Sequence, residues 1–151
     1  MSPSPEAIAV AVILVVVMAA YALFGGADFG GGIWDLLAGS TERGAVPRHL
    51  IEESITPVWE ANHVWLVFIL VLLWTAFPPA FAAIMTALFV PLSLSLLGIV
   101  LRGVGFAFRH TAQRLRMQQL TGATFAASSL ITPFFMGTVV GAVATLSLIH
   151  I

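Results

Sequence analysis

The sequence predicts an all-α integral membrane protein with four transmembrane helices, from its composition and from its long charge-free runs. The chain of 151 residues is 60% hydrophobic and only 9% charged, and its mean hydropathy is +1.04. Soluble domains are usually about 45–50% apolar and about 25% charged. A soluble fold of this size has too little interior to bury so many apolar side chains. The excess must therefore face lipid or other membrane subunits.

The charge-free runs have the lengths of membrane-spanning helices. Residues 7–27 carry no formal charge, and a span needs about 20 residues at ~1.5 Å each to cross a core of ~30 Å. Residues 64–101 form a second run without an ionisable group, which is too long for one straight helix across a bilayer. Pro78-Pro79 divides this run, because adjacent prolines mark a turn. We therefore predict one transmembrane helical domain with spans of roughly 7–27, 57–77, 80–102 and 120–145.

Proline and arginine positions add detail to these spans. Pro133 lies in the middle of the last apolar stretch and predicts a kink rather than an end of the helix. All six arginines lie in or beside the first and third connections, and the N-terminal segment has none. The positive-inside rule therefore predicts cytoplasmic arginine-bearing connections and an N-terminus outside. The net charge of -1, without a basic tract, argues against a nucleic-acid partner.

The segment around Glu60 holds the most informative polar residues. Too few residues separate Val64 from the Pro78 break to span a bilayer, so the second helix must include earlier residues, and Pro57 suits its first turn. That start places Glu60 and His63 in the cytoplasmic margin of the bilayer, on one helix face. Ionisable groups at this depth are functional candidates. An equally weighted interpretation is a charge at headgroup level between two interfacial tryptophans.

Two further ionisable groups are candidates, although a structural interpretation is favoured for each. Asp28 follows the first span within a glycine-rich stretch that allows close helix approach. Asp35 shares its face if the helix continues. The slightly favoured interpretation makes Asp28 an ordinary loop acid at a helix end. For Arg102, which shares a face with Arg109 at the end of the third span, the favoured interpretation is a snorkelling anchor.

No metal site is predicted within the chain. There is no cysteine, so thiolate sites are excluded. The four histidines form no pair at helical ligand spacing, so no haem or copper site is predicted within this chain: His49, His63, His110 and His150.

Several ordered motifs resemble subunit II of cytochrome bd-type quinol oxidases. Residues 28–32, Asp-Phe-Gly-Gly-Gly, resemble the family's Asp-x-Gly-x-Gly element. Residues 57–66 resemble its Pro-x-Trp-Asp/Glu-x-Asn-x-Val-Trp-Leu signature, and residues 77–78 and 101–109 match later landmarks in the same order. Glu at 60 and His at 63 make the segment similar to the so-called cyanide-insensitive branch.

The resemblance implies an eight-helix subunit that pairs with a haem-bearing subunit I in the bacterial inner membrane. Together they would oxidise quinol and reduce oxygen to water, with haem b and haem d in subunit I and no cofactor in this chain. Glu60 matches the family's membrane carboxylate in a proton-supply path, with His63 beside it. The remaining signature positions imply structural roles: Asp28, Trp59, Asn62, Trp65 and Arg102.

Two observations leave alternatives open. Family members are about twice as long, so this chain would be the N-terminal half, and residues 146–151 resemble a non-native end. A secondary transporter or channel would also place a carboxylate and glycine-interrupted helices in the membrane. A purely structural scaffold subunit would have the same fold without a titrating Glu60.

Overall fold

A computed structural model describes residues 3–39, 44–109 and 115–145, and within these ranges the chain is helical without any strand. Five helices follow one another: α1 (Pro5–Leu37), α2 (Ala45–Ala76), α3 (Pro78–Ala87), α4 (Phe89–Arg109) and α5 (Leu115–Ala144). Four of them contain segments long and apolar enough to cross a membrane: Pro5–Leu37, Val46–Ala76, Phe89–Phe108 and Leu120–Ala144. The predicted all-α class with four transmembrane helices is confirmed.

Helix α1 continues far beyond the glycine-rich stretch. It begins after Ser4, whose hydroxyl accepts from the backbone N–H of Ala7 at 3.3 Å, and Pro5 occupies the first turn. It ends at Leu37, before Gly39 with φ +84°. Asp28 is therefore inside a helix, and its favoured interpretation as a loop acid is wrong. Glycines are tolerated here because neighbouring membrane helices supply the packing that they lack.

Helix α2 starts earlier than the sequence predicts. It begins at Ala45, and Pro57 lies inside it rather than in its first turn. At 32 residues the helix is about 48 Å long, which exceeds the ~30 Å hydrocarbon layer. Its polar first turns therefore extend beyond the apolar layer, where water can satisfy the carbonyl that the missing N–H of Pro57 leaves free.

The predicted third span is divided into two helices. α3 ends at Ala87, and Leu88 adopts φ −108° and ψ 25° before α4 begins at Phe89. Pro91 explains the break, since it has no N–H to donate to the carbonyl four residues earlier, that of Ala87. Helix α5, by contrast, continues through Pro133, so this proline does not end the helix. Residues 146–151 lie outside the described residues.

The interior of the bundle is more polar than its surface. α4 packs mainly on α5 and α1 on α2, while α1 also contacts α5. Many large apolar side chains are exposed, as lipid contact requires, whereas nine of the polar or charged residues that the structure describes are buried: Asp28, Asp35, Asn62, Ser95, Arg102, Thr121, Ser128, Ser129 and Thr132. Small and hydroxyl-bearing residues between helices are typical of membrane packing, because lipid is as apolar as leucine.

Gly105 is predicted to be essential for the contact between α4 and α5. A Cβ atom there would lie 3.0 Å from the carbonyl oxygen of Thr121 and 3.1 Å from the backbone nitrogen of Phe125, and neither backbone atom can rotate away. Gly105→Ala should therefore lower the melting temperature of the assembled full-length protein, at a cost of about 1–3 kcal/mol. Gly137→Ala, where a Cβ meets nothing within 4 Å, is the control and should cause no loss. Equal effects of the two substitutions would refute the close contact.

Candidate functional site: a buried ion pair between α1 and α4

Arg102 lies in the interior of the bundle, where it joins three helices. Its side chain is 1% exposed, and Nη2 donates to Asp28 Oδ1 at 2.6 Å. Nη2 also donates to the backbone carbonyl of Asp28, and Nη1 donates to Ser129 Oγ. Asp28 belongs to α1 and Ser129 to α5. The favoured interpretation of Arg102 as a snorkelling anchor is therefore wrong: the guanidinium is buried and α4 continues through Arg109.

Two aromatic rings enclose the guanidinium. Its central carbon lies 5.1 Å from the ring centroid of Phe29 and 4.3 Å from that of Phe125. Both distances are within the range of cation–π attraction, which strengthens when water is excluded. Gly32 completes the enclosure, because a Cβ atom there would clash with Ser129 and with Arg102 Nη1. The absence of a side chain at Gly32 thus leaves the space that the arginine occupies.

Asn62 brings α2 into the same site. It is 3% exposed, and its Nδ2 lies 3.5 Å from Asp28 Oδ2. Asn62 is 14 residues before the end of α2 at Ala76, which is about 21 Å along the helix. The ion pair beside it therefore lies within a ~30 Å hydrocarbon layer that α2 leaves at Ala76. An unpaired charge at that depth is strongly disfavoured.

A second ion pair lies nearer to the first connection. Asp35 lies two turns beyond Asp28 on the same buried face of α1. Its Oδ1 is 3.6 Å from Nε of Arg48 on α2. Arg48 also donates from Nη2 to the carbonyl of Gly39 at 2.6 Å. The shared face of Asp28 and Asp35, expected if the helix continued, is confirmed. The two pairs hold α1 against α4 and α2 respectively.

Glu60 and His63 lie one turn apart on α2 but in different surroundings. Glu60 is exposed on the surface of the chain. His63 is half-buried, and its Nδ1 lies 2.8 Å from the carbonyl oxygen of Trp59. His63 also lines a small cavity that Asp28, Asn62 and Arg102 border. The helix thus places one titratable group outward and the next beside the buried ion pair.

Comparison with known proteins gives the decisive observation. Residues 6–148 match the family described as cytochrome bd terminal oxidase subunit II. The chain belongs to this family. It is 29% identical over 126 residues to the Bacillus subtilis (strain 168) protein named cytochrome bd ubiquinol oxidase subunit 2, covering 83% of this chain and 36% of that relative. It is 28% identical over 126 residues to cytochrome bd-I ubiquinol oxidase subunit 2 of Escherichia coli (strain K12), covering 83% and 32%.

The alignments thus span about a third of each relative's length. The apolar helices and the membership in a membrane oxidase family identify a multi-pass membrane protein. The resemblance to cytochrome bd subunit II that the motifs indicated is confirmed.

The signature tryptophans of the subunit II segment pack against aromatic rings. Trp59 stacks on Phe106 of α4, with ring centroids 5.5 Å apart, and it also contacts the ring of His63 at 4.6 Å. Trp65 stacks on Phe24 of α1 with centroids 6.4 Å apart. These contacts give each tryptophan a packing role between helices, and neither ring takes part in the ion-pair network.

Several residues of the site were not predicted from the sequence. Nothing in the sequence indicates that two residues of α1, Tyr21 and Phe29, lie near two residues of α5, Phe125 and Ser129. The two pairs are about 100 residues apart in sequence. One indication was present: Ser128, Ser129 and Thr132 lie close together in an otherwise apolar span, and hydroxyl groups in membrane helices often mark an interface. Among the described residues, no group of three or more His, Asp or Glu side chains could hold a metal ion; His110 and His150 lie outside them.

Removing one charge of the Asp28–Arg102 pair should destabilise this subunit more than removing both charges. Asp28→Asn leaves Arg102 charged and buried without a counter-charge, which should cost about 3–5 kcal/mol. Asp28→Leu combined with Arg102→Met removes both charges and should therefore unfold at a higher temperature than Asp28→Asn. The melting temperature of the assembled full-length complex is the readout, with Glu53→Gln on the exposed face of α2 as control. A double variant less stable than Asp28→Asn would contradict a paired role.

Proposed function

We propose that this chain serves as the non-haem subunit of a respiratory quinol:oxygen oxidoreductase. In this role it supports a haem-bearing subunit I and contributes to the proton supply for reducing oxygen to water. Family membership supports the assignment, and the matched relatives are named as ubiquinol oxidase subunits. The bundle suits a supporting subunit, because its buried polar contacts fix helix positions while its apolar surface faces lipid and a membrane partner.

The division of labour follows from the chemistry that the residues offer. Haem b and haem d would be held by subunit I, where quinol is oxidised, in the inner membrane of a bacterium. This chain would contribute no ligand to them. The absence of cysteine removes one type of axial haem ligand, and the histidines form no pair at helical ligand spacing.

The exposed position of Glu60 carries the proton-supply proposal. Glu60 is 16 residues before the end of α2 at Ala76, about 24 Å along the helix. Because α2 leaves the hydrocarbon layer at Ala76, Glu60 lies inside that layer, near its margin. A carboxylate there is costly if it faces lipid, so its side chain must face protein or water. The facing surface would be that of subunit I, with water entering from the arginine-bearing side.

Glu60 and His63 together suit proton transfer. A carboxyl group can take up a proton from water and release it to a second acceptor, provided that both lie within reach of one hydrogen bond or one water molecule. His63 follows one turn later on α2, at a spacing that makes the two side chains neighbours on the helix surface. Its Nδ1 is bonded to the carbonyl of Trp59, so Nε2 is the nitrogen that can exchange a proton. The two groups would thus form a short relay at the edge of the subunit.

Glu60→Gln tests the relay. Glutamine keeps the size and hydrogen bonding of Glu60 but cannot titrate, so quinol-driven oxygen consumption should fall at least tenfold, about 1.4 kcal/mol of barrier, with haem content and assembly unchanged. Glu60→Asp should lose less activity, because it retains a carboxyl group. Glu53→Gln provides a matched control seven residues earlier on the same face and should keep normal turnover. Full turnover by an assembled Glu60→Gln complex would leave only a scaffold role for this subunit.

The orientation gives a second test. We expect the N-terminus outside and the connection between α1 and α2 inside, because Arg43 and Arg48 lie in or beside that connection and the N-terminal segment has no arginine. Single cysteines at Pro3, which is exposed before α1, and at His49, which is exposed in the first turns of α2, report the side. A membrane-impermeant thiol reagent applied to spheroplasts should label Pro3→Cys only. Labelling of His49→Cys alone would contradict this orientation.

A further inference from the structure

A small cavity lies beside the Asp28–Arg102 pair, between α1, α2 and α4. Its volume is about 10 Å³, and its polar lining residues are Tyr21, Asp28, Asn62, His63 and Arg102. That space suffices for about one water molecule. Apolar cavities of this size stay dry, whereas polar ones usually hold a water that bonds to groups left unsatisfied by protein.

Two atoms of the lining residues are buried without a hydrogen-bond partner among the described residues: Arg102 Nε and Asn62 Oδ1. The assignment of the Asn62 amide is fixed by its neighbour. Asp28 Oδ2 can only accept, so the group facing it is the nitrogen Nδ2, and the oxygen Oδ1 is directed elsewhere. The site therefore combines one unused donor with one unused acceptor. Buried polar atoms of this kind are rarely left without a partner.

His63 adds a second acceptor. Its Nδ1 lies 2.8 Å from the carbonyl oxygen of Trp59, and a carbonyl can only accept. The neutral ring therefore carries its proton on Nδ1, which leaves Nε2 of this cavity-lining residue as an acceptor.

We propose that the cavity is a binding site for one ordered water molecule. The water accepts a hydrogen bond from Arg102 Nε and donates to Asn62 Oδ1 and to His63 Nε2. Three such bonds are typical of a buried water. The charges of the walls exclude other small ligands, because the guanidinium of Arg102 repels a cation and the carboxylate of Asp28 repels an anion. The water links Asn62 and His63 of α2 to Arg102 of α4.

Electron cryo-microscopy of the assembled full-length oxidase, at a resolution that shows ordered water, tests the site. The parent should show one density peak about 3 Å from both Arg102 Nε and Asn62 Oδ1. Asn62→Leu should abolish the peak, because leucine has a similar volume but no acceptor. Thr75→Val, on an exposed part of α2, should leave it in place. A parent map that shows other buried waters but none in this cavity would overturn the proposal.

A double-mutant cycle gives an independent readout. Asn62→Leu and His63→Phe each remove an acceptor of the same water, so the double variant should lower the melting temperature little more than the larger single effect. Losses that add fully would contradict a shared water. Both readouts are independent of turnover, so their failure would not affect the proposal for Glu60, and normal turnover in Glu60→Gln would not affect the water site.

Discussion

Arg102 is a permanent cation at a depth where the bilayer offers no water, and this constraint governs how the helices pack. A guanidinium in that position must find its acceptors within the protein. Asp28 on α1 and Ser129 on α5 supply them, and Gly32 leaves the space that brings the three helices together. The bundle is therefore organised around a polar centre, and the apolar side chains that would form the core of a soluble protein face outward.

Asp28 and Glu60 have different surroundings, which separates a structural carboxylate from a proposed functional one. Asp28 is buried and bound to Arg102, so its charge is used to hold helices together. Glu60 lies on the outer surface of α2, where only a partner or water can satisfy it. His63 lies between the two environments, since it follows Glu60 by one turn and borders the cavity beside the ion pair. The proposed proton supply and the proposed water site meet at this histidine.

Local features of the fold could be predicted from the sequence, whereas contacts between distant residues could not. Charge-free length and Pro78-Pro79 predicted the helices, because the thickness of the bilayer sets their length. The break at Leu88 was missed, although Pro91 indicated it. The burial of Asp28 and Arg102 was missed because a charge at a helix end and a charge paired across helices look alike in one sequence. Only the partner, 74 residues away, distinguishes them.

Hydrogen–deuterium exchange of the assembled oxidase, comparing the parent with Arg102→Leu, tests the central claim most directly. If Arg102 joins three helices, removing its guanidinium from α4 should speed backbone exchange in α1 around Asp28 and in α5 around Ser129, because both lose their common donor. The segment of α2 and α3 near the Trp74–Phe81 ring contact should exchange as in the parent. Faster exchange confined to α4, with α1 and α5 unchanged, would contradict the account.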